Sequence, residues 1–248
     1  ADFLKIGVGA RPSAMGEAYS AVGGEASASF WNPALIAYEE KINATIMHLS
    51  WYEGTNYEYL SAVMPFTSDI SAGISVNYFW IPAFNSTVDS FGNALEPDNN
   101  LISYDMAVTA SVAKIMGDMY TRDFTIGNIS LGLNVTYIQR KVLDYQLPAV
   151  FMADLGLAAN ITDSLRGALV VQNIGSAAGN DQSPLNVKLG MSHTYDFSKD
   201  FGILVSGDIN KPIDTKNPEY VKWLGGLGVE VKIIEIINLR AGYKFGRQ

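Results

Sequence analysis

The sequence predicts an all-β protein: an antiparallel, up-and-down transmembrane β-barrel preceded by a short helical plug. Three observations predict it. From Lys41 onward, stretches of alternating apolar and small or polar residues recur roughly every 20 residues, as in Ile70-Ser71-Ala72-Gly73-Ile74-Ser75-Val76-Asn77-Tyr78. The connections between these stretches are alternately long and short, which is how outer-membrane barrels sort external loops from periplasmic turns. Only 17% of the 248 residues are charged, while 48% are hydrophobic, with 13 Tyr, 11 Phe and 4 Trp. A typical soluble domain has about 25% charged residues.

The first forty residues stand apart from the rest: 1–40 reads as a plug segment for the lumen, 41–248 as the barrel. Ala10 to Tyr19 reads as a short helix opened by Pro12 and closed near Gly23-Gly24. Asn32 before Pro33 is a cap-and-start signal for a second short helix. Eleven strands follow, at roughly 41–52, 57–66, 69–82, 101–116, 124–139, 149–161, 165–174, 185–197, 200–209, 220–233 and 236–246. The connections 53–56, 83–100, 140–148, 175–184 and 210–219 are mostly long and rich in Gly, Asn, Asp and Pro. Those between them are tight at Thr67-Ser68, Thr162 to Ser164, Ser198-Lys199 and Ile234-Glu235, with 117–123 the one longer exception. This sorting puts the N-terminus on the periplasmic side and the long loops outside the cell.

Alternation splits each strand into two faces. Ile70, Ala72, Ile74, Val76, Tyr78 and Trp80 face lipid, and Ser71, Gly73, Ser75 and Asn77 face inward. Leu189 and Met191 likewise oppose Lys188, Gly190 and Ser192; Leu227, Val229 and Val231 oppose Gly228, Glu230 and Lys232; Leu239, Ala241 and Tyr243 oppose Arg240, Gly242 and Lys244. Aromatic residues near strand ends, such as Trp51, Tyr52, Tyr137, Tyr195 and Trp223, suit interfacial girdles. A half-buried soluble sheet alternates as well, but the loop sorting and low charge favour the membrane barrel. Eleven is an odd count where single-chain bacterial barrels have even ones, so the last strands of the wall are expected to be missing.

Other features restrict the function. No run of about 18 apolar residues forms a membrane helix. A net charge of −8 argues against nucleic acid, which a basic face would bind. The absence of cysteine excludes disulfides and thiolate metal sites. The start Ala1-Asp2-Phe3 lacks a leader's charged and apolar regions, as in the mature form of an exported protein. His48 and His193 lie on different strands without visible carboxylate or imidazole company, Gly7-Val8-Gly9 is not followed by a dinucleotide-binding helix, and no serine sits in an elbow motif. Asp89, Glu96, Asp98 and Asp105 read as a solvated acidic loop, their spacing not being that of an EF-hand. No catalytic, cofactor or metal site is expected.

Three blocks carry a family resemblance. Phe3-Leu4-Lys5-Ile6-Gly7-Val8-Gly9-Ala10-Arg11-Pro12-Ser13-Ala14-Met15-Gly16-Glu17-Ala18-Tyr19 and Ala26-Ser27-Ala28-Ser29-Phe30-Trp31-Asn32-Pro33-Ala34 resemble the start of the PorV/PorQ family of outer-membrane proteins, relatives of the FadL long-chain fatty-acid transporters. Asn238-Leu239-Arg240-Ala241-Gly242-Tyr243-Lys244-Phe245-Gly246 resembles a late strand of that family. The resemblance implies a 14-stranded barrel with its N-terminal segment folded into the lumen as a plug, and further strands after the last of these blocks.

The expected function follows from the plug and the loops. The resemblance implies a PorV-like component of a protein-secretion or surface-assembly apparatus in the bacterial outer membrane. Outer-membrane lipid surrounds it, and a translocon or cargo would be met through loops 83–100, 175–184 and 210–219. The alternatives are a FadL-like channel for small hydrophobic molecules and a structural barrel of a surface layer or filament. A channel needs an apolar pocket beside the plug, expected at Phe3, Leu4, Met15 and Phe30. Arg11 and Glu17 are expected to pair with each other or with Arg240 and Lys244. Trp31, Asn32 and Pro33 are expected to fix the second helix to the wall.

Overall fold

The computed structural model describes residues 2–81, 103–120, 125–142, 145–175, 183–213, 222–234 and 236–246. The chain forms one sheet of 12 strands: β1 (Asn43–Ser50), β2 (Asn56–Pro65), β3 (Ile70–Ile81), β4 (Ser103–Tyr120), β5 (Thr125–Val142), β6 (Tyr145–Gln146), β7 (Val150–Asn160), β8 (Leu165–Gly175), β9 (Asn186–Asp196), β10 (Phe201–Pro212), β11 (Leu224–Ile233) and β12 (Ile237–Phe245). All pairings are antiparallel and up-and-down; the two-residue β6 folds back on β5, and β7 takes the next place beside β5. Among the described residues β1 and β12 each have a single neighbour, so the sheet is open.

Each of the eleven expected strands is present, and β6 adds a short one inside the expected 140–148 connection. The β4–β5 hairpin runs further than alternation indicates. Its strands reach Tyr120 and resume at Thr125, with register shifts around Gly117 (φ 101°) where the alternation slips. The first helix is shorter than expected. It spans Ala10–Ala14, because Gly16 (φ 62°) and Glu17 (φ 60°) turn the chain left-handed just beyond it. The second expected helix is a 3-10 turn, Pro33–Tyr38, capped by the Asn32 side chain accepting from the Ala34 N–H at 3.0 Å. A further short helix, α2 (Ala28–Trp31), precedes it.

Three tight turns share one local device. Residues Thr67, Thr162 and Ser198 each stand two residues beyond the end of a strand, and each hydroxyl accepts the N–H three residues on, from Ile70 (3.1 Å), Leu165 (3.1 Å) and Phe201 (3.0 Å). The hydroxyl replaces a backbone acceptor and stops the strand.

The polarity of the sheet is the reverse of that of a water-soluble core. One face buries Ser61, Ser75, Asn77, Thr109, Asn134, Asp154, Gln172, Lys188, Asp208 and Glu230 among apolar residues such as Tyr57, Tyr59, Ile138 and Met152. The other exposes Ile46 (83%), Leu60 (51%), Ile74 (57%), Leu155 (51%), Leu189 (57%) and Leu227 (56%). The polar face is the one covered by residues 2–40.

The sheet is strongly rolled around that segment. Nine strand intervals separate β1 from β11, which is roughly 43 Å if laid flat at about 4.8 Å per interval. Yet the Gly9 N–H reaches Met47 Sδ on β1 at 3.2 Å, and Arg11 Nε reaches Glu230 on β11 at 2.8 Å. Gly9 and Arg11 lie within about 7 Å along the chain, so the two ends of the sheet are held close together.

Candidate functional site

The candidate site is the packing of residues 2–40 against the polar face. Most of this segment is neither long helix nor strand, so its own turns take only part of its carbonyls, and a buried unpaired carbonyl is costly. The strands supply the missing donors. Ser61 Oγ on β2 donates to Ala26 O at 2.8 Å, and Ser130 Oγ and Asn134 Nδ2 on β5 donate to Ala34 O and Ser29 O at 3.1 and 2.9 Å. Gln172 Nε2 on β8 and Ser192 Oγ on β9 donate to Phe30 O and Ala21 O, both at 2.8 Å. The inward polar residues therefore act as a complement to an irregular backbone.

Where the segment approaches most closely, the strands carry glycine. Gly132 on β5 and Gly156 on β7 are paired in register. A Cβ on Gly132 would strike the Pro33–Ala34 peptide, and one on Gly156 the Asn32 side chain and the Ala34 nitrogen. At the other end of the sheet, Gly226 and Gly228 on β11 and Gly242 on β12 crowd the backbone of Met15 and Gly16 in the same way.

The expected site residues divide between these regions. Asn32 is fully buried; its Nδ2 donates to Ser20 O (2.9 Å) and to Leu157 O on β7 (3.2 Å). Pro33 starts the 3-10 turn over Gly132. Trp31 donates its indole N–H to Val8 O at 3.1 Å, and the Lys188 ammonium of β9 stands 4.9 Å from the Trp31 ring centroid. Met15 (0% exposed) joins an apolar cluster with Tyr19, Trp31 and Leu35, and Phe3 (4%) joins another with Val8, Tyr57 and Tyr59. Leu4 packs against the second cluster and Phe30 against both. These four residues are thus divided between two packed clusters.

Arg11 and Glu17 do not pair with each other. Arg11 makes a forked contact with the Glu230 carboxylate, with both N–O distances 2.8 Å, and Arg240 of β12 binds the same carboxylate. Arg11 also donates to Tyr19 Oη (3.0 Å) and Gly23 O (2.9 Å). Burial pushes the Tyr19 phenol well above its ordinary range, so it stays neutral beside the guanidinium. Glu17 pairs with Lys244 of β12.

One residue central to the site was not among those singled out from sequence. Asp208 on β10 is 2% exposed, and its Oδ2 accepts from Tyr19 N (3.1 Å), Ser20 N (2.9 Å) and Ser20 Oγ (2.6 Å). Its carboxylate lies over Gly190, where a side chain would collide with it. The available signal was an acid on the inward parity of β10, in line with Gly202, Leu204, Ser206 and Asn210.

His48 does have company. Its Nδ1 lies 2.8 Å from Glu58 Oε1 across the β1–β2 pair, and its Nε2 lies 3.2 Å from Ser50 Oγ. Sequence spacing hides a cross-strand partner. The group is open to solvent, with His48 59% and Glu58 41% exposed. Among the described residues no three His, Asp or Glu side chains gather as a metal site. Asp89, Glu96 and Asp98 lie outside the described residues, and Asp105 accepts from Arg140 Nε at 2.9 Å. Most of the long connections 83–100, 175–184 and 210–219 also lies outside them.

No family model matches the chain, and no curated protein matches it.

Proposed function

We propose that this chain forms the wall and plug of a bacterial outer-membrane barrel of the PorV/PorQ kind, its N-terminus on the periplasmic side. In this reading it serves as a component of a protein-secretion or surface-assembly apparatus. One observation carries the membrane part: the exposed face is apolar along most strands, while the polar face is the buried one. In water that arrangement leaves a large apolar surface unpaid for; in lipid it is the expected one. A partner-binding role, rather than a conduit or an enzyme, is supported by the way residues 2–40 fill the polar face. Their carbonyls and charges find partners on many of the strands, from Ser61 on β2 to Lys244 on β12.

The test is reconstitution of the protein into phospholipid vesicles. It is expected to co-float with them, to leave them impermeable to small solutes and long-chain fatty acids, and to co-purify from its native membrane with a large protein partner. Deleting 83–100 is expected to abolish that partner while leaving insertion intact. Rapid fatty-acid flux would replace this reading with the channel, and failure to enter vesicles would remove the membrane reading altogether.

A further inference from the structure

Behind the glycines that dock the plug, the opposite face of the sheet carries a groove. Because Gly132 and Gly156 carry no inward side chain, β5 and β7 lie directly on the Pro33–Ala34 backbone. On the outward face, this glycine pair and Ala113 of β4 form the floor of a groove of about 410 Å³. Its walls are two rows of outward side chains, one to each side of the glycine level. Leu131 and Leu157 stand in one row, Leu133 and Leu155 in the other, as the register requires. The groove crosses four strands, β4 to β8, a length of roughly 14 Å at sheet spacing. Its one charged lining residue is Lys114, at the β4 end.

Lys114 lies opposite Ile70, the first residue of β3 after the tight 66–69 turn. In the barrel orientation proposed above, that is the periplasmic boundary of the membrane. The Lys114 side chain is 52% exposed and its ammonium has the Asp69 carboxylate at 3.9 Å, a long exposed pair that leaves donors available.

We infer that this groove binds one acyl chain of an anionic phospholipid of the periplasmic leaflet, with the lipid phosphate on Lys114. The apolar length takes the chain, and the cation at its boundary end selects the headgroup. The inference rests on the membrane reading.

The experiment is native mass spectrometry of the detergent-purified, delipidated protein mixed with equal amounts of phosphatidylglycerol and phosphatidylcholine, alongside the vesicle flotation above. One retained phosphatidylglycerol is expected, favoured over phosphatidylcholine by about fivefold, the worth of one lysine near a membrane surface. Lys114→Gln is expected to erase the preference while keeping some lipid. Leu155→Trp, which fills the groove from an exposed position, is expected to remove the retained lipid; Leu227→Trp on β11 is the control that keeps it. A wild type that floats with vesicles but shows no preference, or variants that behave like it, overturns the groove and leaves the membrane reading standing. A protein that does not float overturns both.

Discussion

The N-terminal segment meets the sheet along two seams that differ in chemistry. Against β5, β7 and β8 it is held by neutral contacts: Asn32, Ser130, Asn134 and Gln172 bond to backbone groups over the Gly132–Gly156 floor. Against β10, β11 and β12 it is held by charge: Asp208 takes the Tyr19 and Ser20 donors, Glu230 takes Arg11, and Lys244 takes Glu17. The first seam lies mid-sheet, where every strand has two neighbours. The second approaches the free edge at β12. Close contact at glycine is common to both seams; what the second adds, toward the sheet's edge, is charge.

Breaking the neutral seam has the largest expected effect. Gly156→Val puts a branched side chain into Asn32 and the Ala34 backbone, with paired strands on both sides to prevent relief. The expected loss is about 3 kcal/mol or more, seen as a lowered midpoint in urea or a loss of the heat-modifiable band on gels. Gly242→Ala also meets backbone, at Met15 and Gly16, but it sits on the edge strand, which can shift. About 1 kcal/mol is expected there. Equal losses at the two sites would contradict the contrast between a fixed and a yielding seam.

The neutral seam also marks what sequence reading reaches. Alternation places Gly190, Gly228 and Gly242 on the inward face, and strand-by-strand parity needs only local residues. Why they are glycine does not, because the collision of Gly132 with Ala34 joins positions about a hundred residues apart. Sequence separation also hides Asp208 under Ser20, 188 residues away, and the cross-strand register hides Glu58 beside His48, only 10 residues away. Local signals failed where the backbone departs from a simple period. Pro12 and the small residues around it indicate a helix, but Gly16 and Glu17 end it after five residues to bring Gly16 against β11 and β12. The Gly117 bulge hid the full length of the β4–β5 hairpin.

Within the charged seam, burial ranks the effects. Asp208→Ala orphans Tyr19 N, Ser20 N and Ser20 Oγ inside the protein. A loss of about 2–3 kcal/mol is expected, since unsatisfied buried donors are costly. It is expected to change little between low and high salt, because counterions do not reach the site. Glu230→Gln keeps the shape but leaves Arg11 and Arg240 without their shared anion; Arg11 is 19% exposed and Glu230 10%. About 1–2 kcal/mol is expected from the lost charge-assisted fork, with partial salt dependence in the same urea titrations.

The smallest effect separates charge from contact at the sheet's edge. Lys244 is 39% exposed and Glu17 24%, so their ion pair works largely against water. Lys244→Gln is expected to cost less than about 1 kcal/mol at low ionic strength. At about 1 M salt, where the screening length is roughly 3 Å, wild type and variant are expected to converge. Limited proteolysis within residues 1–40, run at both ionic strengths, reads the same difference locally. If the variant stays equally weakened in high salt, Lys244 acts through packing of its stem on the segment, and the second seam is then steric like the first.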